Sequence, residues 1–428
     1  MKTEIALRQE NYISERERWL DSLARKILHS KLSGITTGSI ILHEAGSRYI
    51  FGNESADDQH LQVDITVKHP GFYSDIVFGG TVGSGESYMA GYWSCSDLTA
   101  LIQIILKNRH LLDDLDGGTG KLMMPLHRLF HFLHRNSRSG SRKNIHAHYD
   151  LGNDLFSLFL DNTMMYSCAV FEDDDTPLEQ ASTEKLDRIC RKLQIEPDDH
   201  VLEIGTGWGG FAIHAAMHYG CRVTTTTISK EQFEYARDKV RQHGLEDRIT
   251  LLCEDYRNLQ AVTGQKFDKL VSIEMIEAVG HQYYRDYFQT CSDMLKPDGM
   301  MLLQSITIAD QHYRRALKEV DFIQRYIFPG GCLPSIETIS SMVSKHTDMR
   351  FFHLDDIGED YATTLRLWRE RFFDKIDEVR KLGYSETFIR MWEFYLCYCE
   401  GGFLERDIGT VQLLLTKPGC RRRPVLAV

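Results

Sequence analysis

The stretch that most constrains the fold is Asp199-His-Val-Leu-Glu-Ile-Gly-Thr-Gly-Trp-Gly-Gly-Phe-Ala-Ile-His214, in which a short buried strand runs into a glycine turn and then a helix. Val201 to Ile204 is an apolar run broken only by Glu203, and the alanine-rich sequence from Phe211 onward reads as helix. Between them, Gly205, Gly207 and Gly209 allow tight turning and close approach of backbone to a ligand, which is thereby presented to a helix start. The NAD version of this unit needs an acid at the end of the second strand, roughly 20 residues on, to hold a ribose hydroxyl. Here that strand, Cys221-Arg-Val-Thr-Thr-Thr-Thr-Ile-Ser229, ends without one. Acids sit instead inside the first strand (Glu203) and after the third apolar run, Ile249-Thr-Leu-Leu-Cys-Glu-Asp255, within reach of an adenine or a ribose. This is closer to the S-adenosylmethionine (SAM) pattern than to NAD. The competing reading is an ordinary strand-turn-helix whose glycines serve packing alone.

From Ile195 to Leu303 apolar strands alternate with helical patterns, which predicts a doubly wound, Rossmann-like α/β domain with its ligand in the switch-point crevice. Residues 310 to 405 read as mostly helical and aromatic, a helical cap over that crevice. At the other end, residues up to about 35 read as helix, with Trp19, Leu20, Leu23, Ile27 and Leu28 spaced for one buried face. Short runs follow at 39–42, 48–51, 61–67 and Tyr73-Ser-Asp-Ile-Val-Phe78, predicting a small antiparallel sheet, and helix resumes at Asp97 to Leu106. The expected organisation is a small mixed α+β N-terminal domain over 1–120 that engages lipid, a basic amphipathic linker over 121–146, and a catalytic domain over 147–428. In the linker, Met123, Leu126, Leu129, Phe130 and Phe132 interleave with Arg128, Arg135, Arg138, Arg142 and Lys143. Such a segment is either a solvated interdomain helix or an interfacial one whose cations meet anionic headgroups.

At 428 residues the chain exceeds one typical domain. Its 61 acidic against 50 basic side chains, net −11, argue against a globally basic nucleic-acid binder. Ten irregularly spaced cysteines in a chain of this length point to a reducing, cytoplasmic setting, and the close pair Cys397 and Cys399 has no zinc-like partners nearby, so no metal is expected. No apolar run approaches the roughly 20 residues that span a bilayer. The expectation is therefore a protein that is soluble or peripherally bound to the inner face of a membrane.

With further motifs in view, the chain resembles the cyclopropane-fatty-acyl-phospholipid synthase family of SAM-dependent methyltransferases over nearly its full length. The resemblance rests on Gly85-Glu-Ser-Tyr-Met-Ala-Gly-Tyr-Trp93, His148-Tyr-Asp-Leu-Gly-Asn-Asp-Leu-Phe156, Met165-Tyr-Ser-Cys-Ala169, the glycine loop, Thr227-Ile-Ser-Lys-Glu-Gln232 and Asp255-Tyr-Arg257. Met275-Ile-Glu-Ala-Val-Gly280, Tyr326-Ile-Phe-Pro-Gly-Gly-Cys-Leu-Pro-Ser335 and Cys399-Glu-Gly-Gly-Phe403 continue it in the family's order. The resemblance implies SAM binding by Tyr166, Ser167, Glu203, Gly205, Gly207, Gly209, Thr227, Ile228, Gln232, Asp255 and Tyr256.

An isolated alkene is a poor nucleophile, so its attack on a sulfonium methyl calls for a dry, aligned pocket, and the resulting carbocation can be steadied by aromatic faces. The cap offers Tyr326, Phe328, Trp368, Phe372 and Phe403. A base must then take a proton from the added methyl, and the resemblance implies a bound bicarbonate in that role, held among Cys168, Glu277, Ile306 and Tyr361, with Cys399 lining the pocket. One position departs: Gln304 stands where the family usually carries His, so an imidazole is lost while an amide donor to bicarbonate remains. The implied function is methylene addition to the cis double bond of an unsaturated phospholipid acyl chain, giving a cyclopropane. The alternatives are a same-family enzyme giving methylene-branched or methylated chains, which the Gln304 departure allows, and a non-catalytic lipid-binding homologue, against which the intact motifs argue. A small-molecule methyltransferase would leave the N-terminal domain without a purpose. A homodimer would double weak membrane contacts.

Overall fold

The computed structural model describes residues 19–53, 61–109 and 151–423, which form two units. The basic linker, the first residues of the His148 motif and the chain before Trp19 lie outside the described residues.

The N-terminal unit comprises α1 (Trp19–Leu32), β1 (Ser39–Glu44), β2 (Ser47–Gly52), β3 (Gln62–Val67), α2 (Gly71–Met89), β4 (Trp93–Cys95) and α3 (Leu98–Lys107), together with residues Glu386–Phe394. Its four-stranded sheet runs β2-β1-β3-β4. The hairpin β1-β2 is antiparallel and turns on Ala45 and Gly46, both at positive φ, as a two-residue turn with the right twist demands. β1 and β3 pair in parallel, so the sheet is mixed rather than antiparallel. Two further expectations are corrected. Residues 73–78 lie in α2, because Tyr73 and Val77 fall one helical turn apart and bury together, a spacing that a six-residue window cannot separate from alternation. Leu23 is 44% exposed; the buried stripe of α1 is Ala24, Leu28 and Leu32, and Leu23 sits roughly 100 to 180° around the helix from its members.

The second unit is built on a seven-stranded sheet of order β10-β11-β9-β8-β5-β6-β7. Its strands are β5 (His200–Ile204), β6 (Arg222–Thr226), β7 (Ile249–Leu252), β8 (Phe267–Ile273), β9 (Leu295–Ile308), β10 (Arg350–Asp356) and β11 (Ile408–Thr416). The five from β5 to β9 are parallel, as the sequence pattern predicts, while β11 runs antiparallel between β9 and β10. Both faces are covered. Met301 and Leu303 of β9 and Leu413 and Leu415 of β11 enter the core with Tyr284, Tyr287 and Phe288 of α7 (Tyr284–Met294) and Ile339 of α8 (Ile336–His346). Met300, Leu302 and Leu414 point the other way, to Leu186 and Ile189 of α4 (Leu178–Leu193), Phe211 of α5 (Gly210–Tyr219) and Val240 of α6 (Lys230–Gln242). Burial on both faces is what such apolar strands require. Chain order reverses between β5 and β8, so the crevice for a ligand opens at their carboxyl ends. The cap is largely helical, with α9 (Gly358–Asp374) and the second half of α10 (Glu386–Leu404), but edge strand β10 interrupts it.

Candidate active site

Beyond Ile204 the glycine loop turns with Gly205, Gly207 and Gly209 at φ of 102°, 53° and 94°. A side chain at Gly207 would meet nothing within 4 Å, so the loop leaves open space there just before the start of α5. This is the cradle that a ligand at a helix N-terminus needs. Glu203 beneath it is buried and accepts from Thr225 Oγ1 at 2.6 Å; burial pushes its carboxyl up to about 8. At the end of β6, Thr227 Oγ1 donates to Gln232 Oε1 (2.9 Å), Ile228 is half-buried, and Ser229 caps α6. After β7, Asp255 is engaged by Arg257 through Nε (2.8 Å) and the backbone amide (3.0 Å), while Tyr256 packs edge-on against Tyr287. Tyr166 Oη lies 2.9 Å from Tyr395 Oη, and Ser167 Oγ accepts from Lys185 Nζ at 2.8 Å. The expected SAM residues thus occupy the carboxyl ends of β5, β6 and β7 and the segment before α4. The open loop and the enclosed acid fit that ligand.

The loop after β8 adjoins this cradle, since a side chain at Gly205 would come within 3.3 Å of Met275 Cγ. Two carboxyl groups are enclosed here, although each residue keeps some accessible surface. Glu277 Oε1 accepts from the Ile306 amide (2.6 Å) and Ser305 Oγ (2.9 Å), and its buried Oε2 has no hydrogen-bond partner. Burial, and then the neighbouring Glu274, push Glu277 up to about 8. Glu274 itself sits at φ 48°, in the left-handed region that an ordinary side chain avoids. Its Oε1 accepts from the Cys168 amide (2.9 Å) and Gln304 Nε2 (2.9 Å), and its Oε2 from Tyr361 Oη (2.7 Å). Burial raises its carboxyl, and the Tyr361, Gln304 and Cys168 donors oppose the rise.

Gln304 is held from behind: its Oε1 accepts from Gln412 Nε2 (2.9 Å), whose Oε1 accepts from Lys192 Nζ (2.7 Å), and Lys192 pairs with Asp355 (2.6 Å). The amide therefore presents its NH2 to Glu274. An aromatic wall stands beside the carboxyls. Tyr361 stacks on Phe403 at 4.5 Å, Trp368 lies 5.1 Å from Tyr166, and Phe328 lies 6.1 Å from Tyr395. Cys399 falls on the α10 stripe formed by Tyr395 and Phe403, and burial near Asp321 keeps its thiol protonated, which suits lining rather than nucleophilic attack. Tyr326, by contrast, packs on Phe322 and Arg325. Among the described residues no group of three or more His, Cys, Asp or Glu is placed to hold a metal.

Thus Cys168, Gln304 and Tyr361 converge on Glu274, and Ile306 on Glu277. The sequence motifs do not single out Glu274, Lys185, Gln412 or Tyr395. For Glu274 the available signal is its place, immediately before Met275 at the end of the strand beside the glycine loop.

The profile of the family described as mycolic acid cyclopropane synthetase matches residues 136–413. The tuberculostearic acid methyltransferase UfaA1 of Mycobacterium tuberculosis is 40% identical over 79% of this chain and 80% of its own. The cyclopropane-fatty-acyl-phospholipid synthase of Escherichia coli K12 is 39% identical over 83% and 88%. Among solved structures, the mycolic acid cyclopropane synthase CmaA1 complexed with SAH and CTAB superposes with a TM-score of 0.58 at 31% identity, over 64% of this chain and 98% of that one.

Proposed function

Since this chain belongs to the mycolic acid cyclopropane synthetase family, we propose that it transfers the methyl carbon of SAM to the cis double bond of an unsaturated phospholipid acyl chain and closes a cyclopropane ring. The observation that carries this reading is the junction of the two half-sites: the glycine cradle touches the Met275 loop, whose carboxyls are backed by the Tyr361–Phe403 stack. SAM supplies an electrophilic methyl. The chain's own residues exclude water, hold the alkene in line with the methyl, and face the developing carbocation with Tyr361, Phe403 and Trp368, which are almost fully buried. The alkene electron pair forms the new C–C bond as the C–S bond breaks. Loss of a proton from the added methyl then closes the ring.

A second outcome, a methylene-branched or methylated chain, is favoured by one feature: Gln304 places an amide where an imidazole would take part in proton transfer. The reading also includes a peripheral mode of action at the inner face of the membrane, with segment 121–146 on anionic headgroups. The test is incubation with methyl-trideuterated SAM and monounsaturated phospholipid vesicles, followed by mass spectrometry and NMR of the released fatty acids. Two deuterons in a cyclopropane ring are expected. An exocyclic alkene, or three retained deuterons, assigns the branched product, and SAM binding without label in any acyl chain overturns the reading.

A further inference from the structure

We infer that Glu274 stands where a bicarbonate base would bind, so that this enzyme carries its own carboxylate and recruits no bicarbonate; as a statement about catalysis this rests on the acyl-chain reading above. Four groups are expected to hold a bicarbonate, and each already has a partner within the chain. The Cys168 amide and Tyr361 hydroxyl donate to Glu274 at 2.9 and 2.7 Å, and the Ile306 amide donates to Glu277 at 2.6 Å. Glu277 is the fourth, and its Oε1 is taken up by Ile306 and Ser305. Gln304, the amide that would also have donated to bicarbonate, divides its NH2 between Glu274 Oε1 (2.9 Å) and the Cys168 carbonyl (3.3 Å). The Glu274 carboxylate and a bicarbonate each offer two acceptor oxygens on one planar carbon, the third oxygen of bicarbonate standing where the side-chain methylene joins the carboxylate. A bicarbonate placed beside the side chain would find its donors already committed, and an anion without donors in an enclosed site is strongly disfavoured.

Three features show that this arrangement is built rather than incidental. Glu274 adopts a left-handed φ of 48° to bring its carboxylate to those donors, a conformation that costs an ordinary residue energy and concentrates at functional sites. The Gln304 amide is oriented by Gln412 and Lys192, so that it meets Glu274 as a donor. All three groups that hydrogen-bond the carboxylate donate to it, the set that suits an acceptor-only, ionised acid. Glu277, with its unpartnered Oε2, has the surroundings of a neutral acid instead. A pair of carboxyls with opposed environments is a division of labour between base and acid.

In the reaction, a C–H bond of the added methyl breaks and its electron pair forms the last C–C bond of the product. The proton passes to a Glu274 oxygen, giving the carboxylic acid, and is released to water when the lipid leaves. Ester formation would need a carboxylate oxygen to move to bonding distance of the cationic carbon, and the hydrogen bonds to Cys168, Gln304 and Tyr361 oppose that displacement.

The test compares wild type with Glu274→Gly and Glu274→Gln. Glycine accepts the φ at 274 without strain and opens a carboxylate-sized space, whereas glutamine keeps the space filled. The first readout needs no lipid: line broadening of the 13C-bicarbonate resonance should show binding to Glu274→Gly, reduced by acetate, and none to wild type or Glu274→Gln. The second is turnover in buffer stripped of carbon dioxide. Wild type should keep its rate, both variants should lose about 100-fold or more, as expected for removal of a general base, and added bicarbonate should restore only Glu274→Gly, by about tenfold or more. Isothermal titration with SAM confirms that each variant folds. Wild type that binds bicarbonate, or slows without it, overturns the inference, as does a Glu274→Gln enzyme with wild-type turnover. Should wild type label no lipid at all, the acyl-chain reading falls, while the bicarbonate titration still decides what occupies the site.

Discussion

Glu277→Gln makes the enclosure of the site measurable without substrate. The Glu277 carboxyl is raised from 4.5 to about 8, first by burial and then by the charge of Glu274. The native state therefore holds a proton on this group across an interval in which the unfolded chain does not. Stability from the neutral acid is fully present below about pH 4.5 and drains as pH rises towards 8, at about 1.4 kcal/mol per pH unit for one proton. From about pH 6 to about pH 8, allowing for the flattening near the native pKa, the loss is about 2 kcal/mol. Glutamine keeps an oxygen to accept from Ser305 and Ile306, which bond Glu277 at 2.9 and 2.6 Å, and places an NH2 where the neutral acid has its unpartnered Oε2. It does not titrate, so the variant should gain on wild type as pH rises. In a unit of this size the gap between melting temperatures should widen by about 4 to 8 °C over those two pH units. Differential scanning calorimetry without SAM is the assay, since a bound ligand would shift both midpoints. A gap that stays constant from pH 6 to pH 8 would mean that Glu277 is already ionised throughout, and the argument from enclosure would fail.

Gly207→Ala should cost only the strain of a left-handed alanine, about 1 to 2 kcal/mol, because its Cβ meets nothing within 4 Å. That Cβ nevertheless enters the cradle, so SAM affinity by isothermal titration should fall about tenfold or more, equivalent to about 1.4 kcal/mol; unchanged affinity would remove Gly207 from the cofactor site. Replacing Arg128, Arg135, Arg138 and Arg142 by Ser should weaken sedimentation with anionic vesicles and leave SAM affinity intact, and unchanged sedimentation would refute the interfacial reading of the linker.

What was legible in the chain follows from which interactions are local. A parallel strand buried on both faces must be apolar along its length, and a tight loop against a ligand needs glycine, so β5, the glycine loop and the alternation through β9 can be read directly. β10 could not: its residues Arg350–Asp356 are half-exposed at the sheet edge and mix aromatic with acidic side chains in no clean period. α2 goes against its local signal for the opposite reason, as Ile76, Val77 and Phe78 carry strand preference and are overridden by the face that Tyr73 and Val77 bury. The site divides along the same line. Motif residues were legible one by one, but the weight of Glu274 lies in donors 106, 30 and 87 positions away, at Cys168, Gln304 and Tyr361. No local pattern announces such a convergence, and a lone acid at a strand end reads as solvated. Once the three donors are seen, Gln304 changes meaning. Taken alone it is a lost imidazole; beside a fixed carboxylate it is the group that fits, because an amide donates to Glu274 and accepts from Gln412 at every pH. A histidine there would carry charge or not according to pH, and in its neutral form could give Glu274 a donor only from the nitrogen that happens to hold the proton. Glu274 and Gln304 are thus best understood as one device, and a change at either should be read through the other.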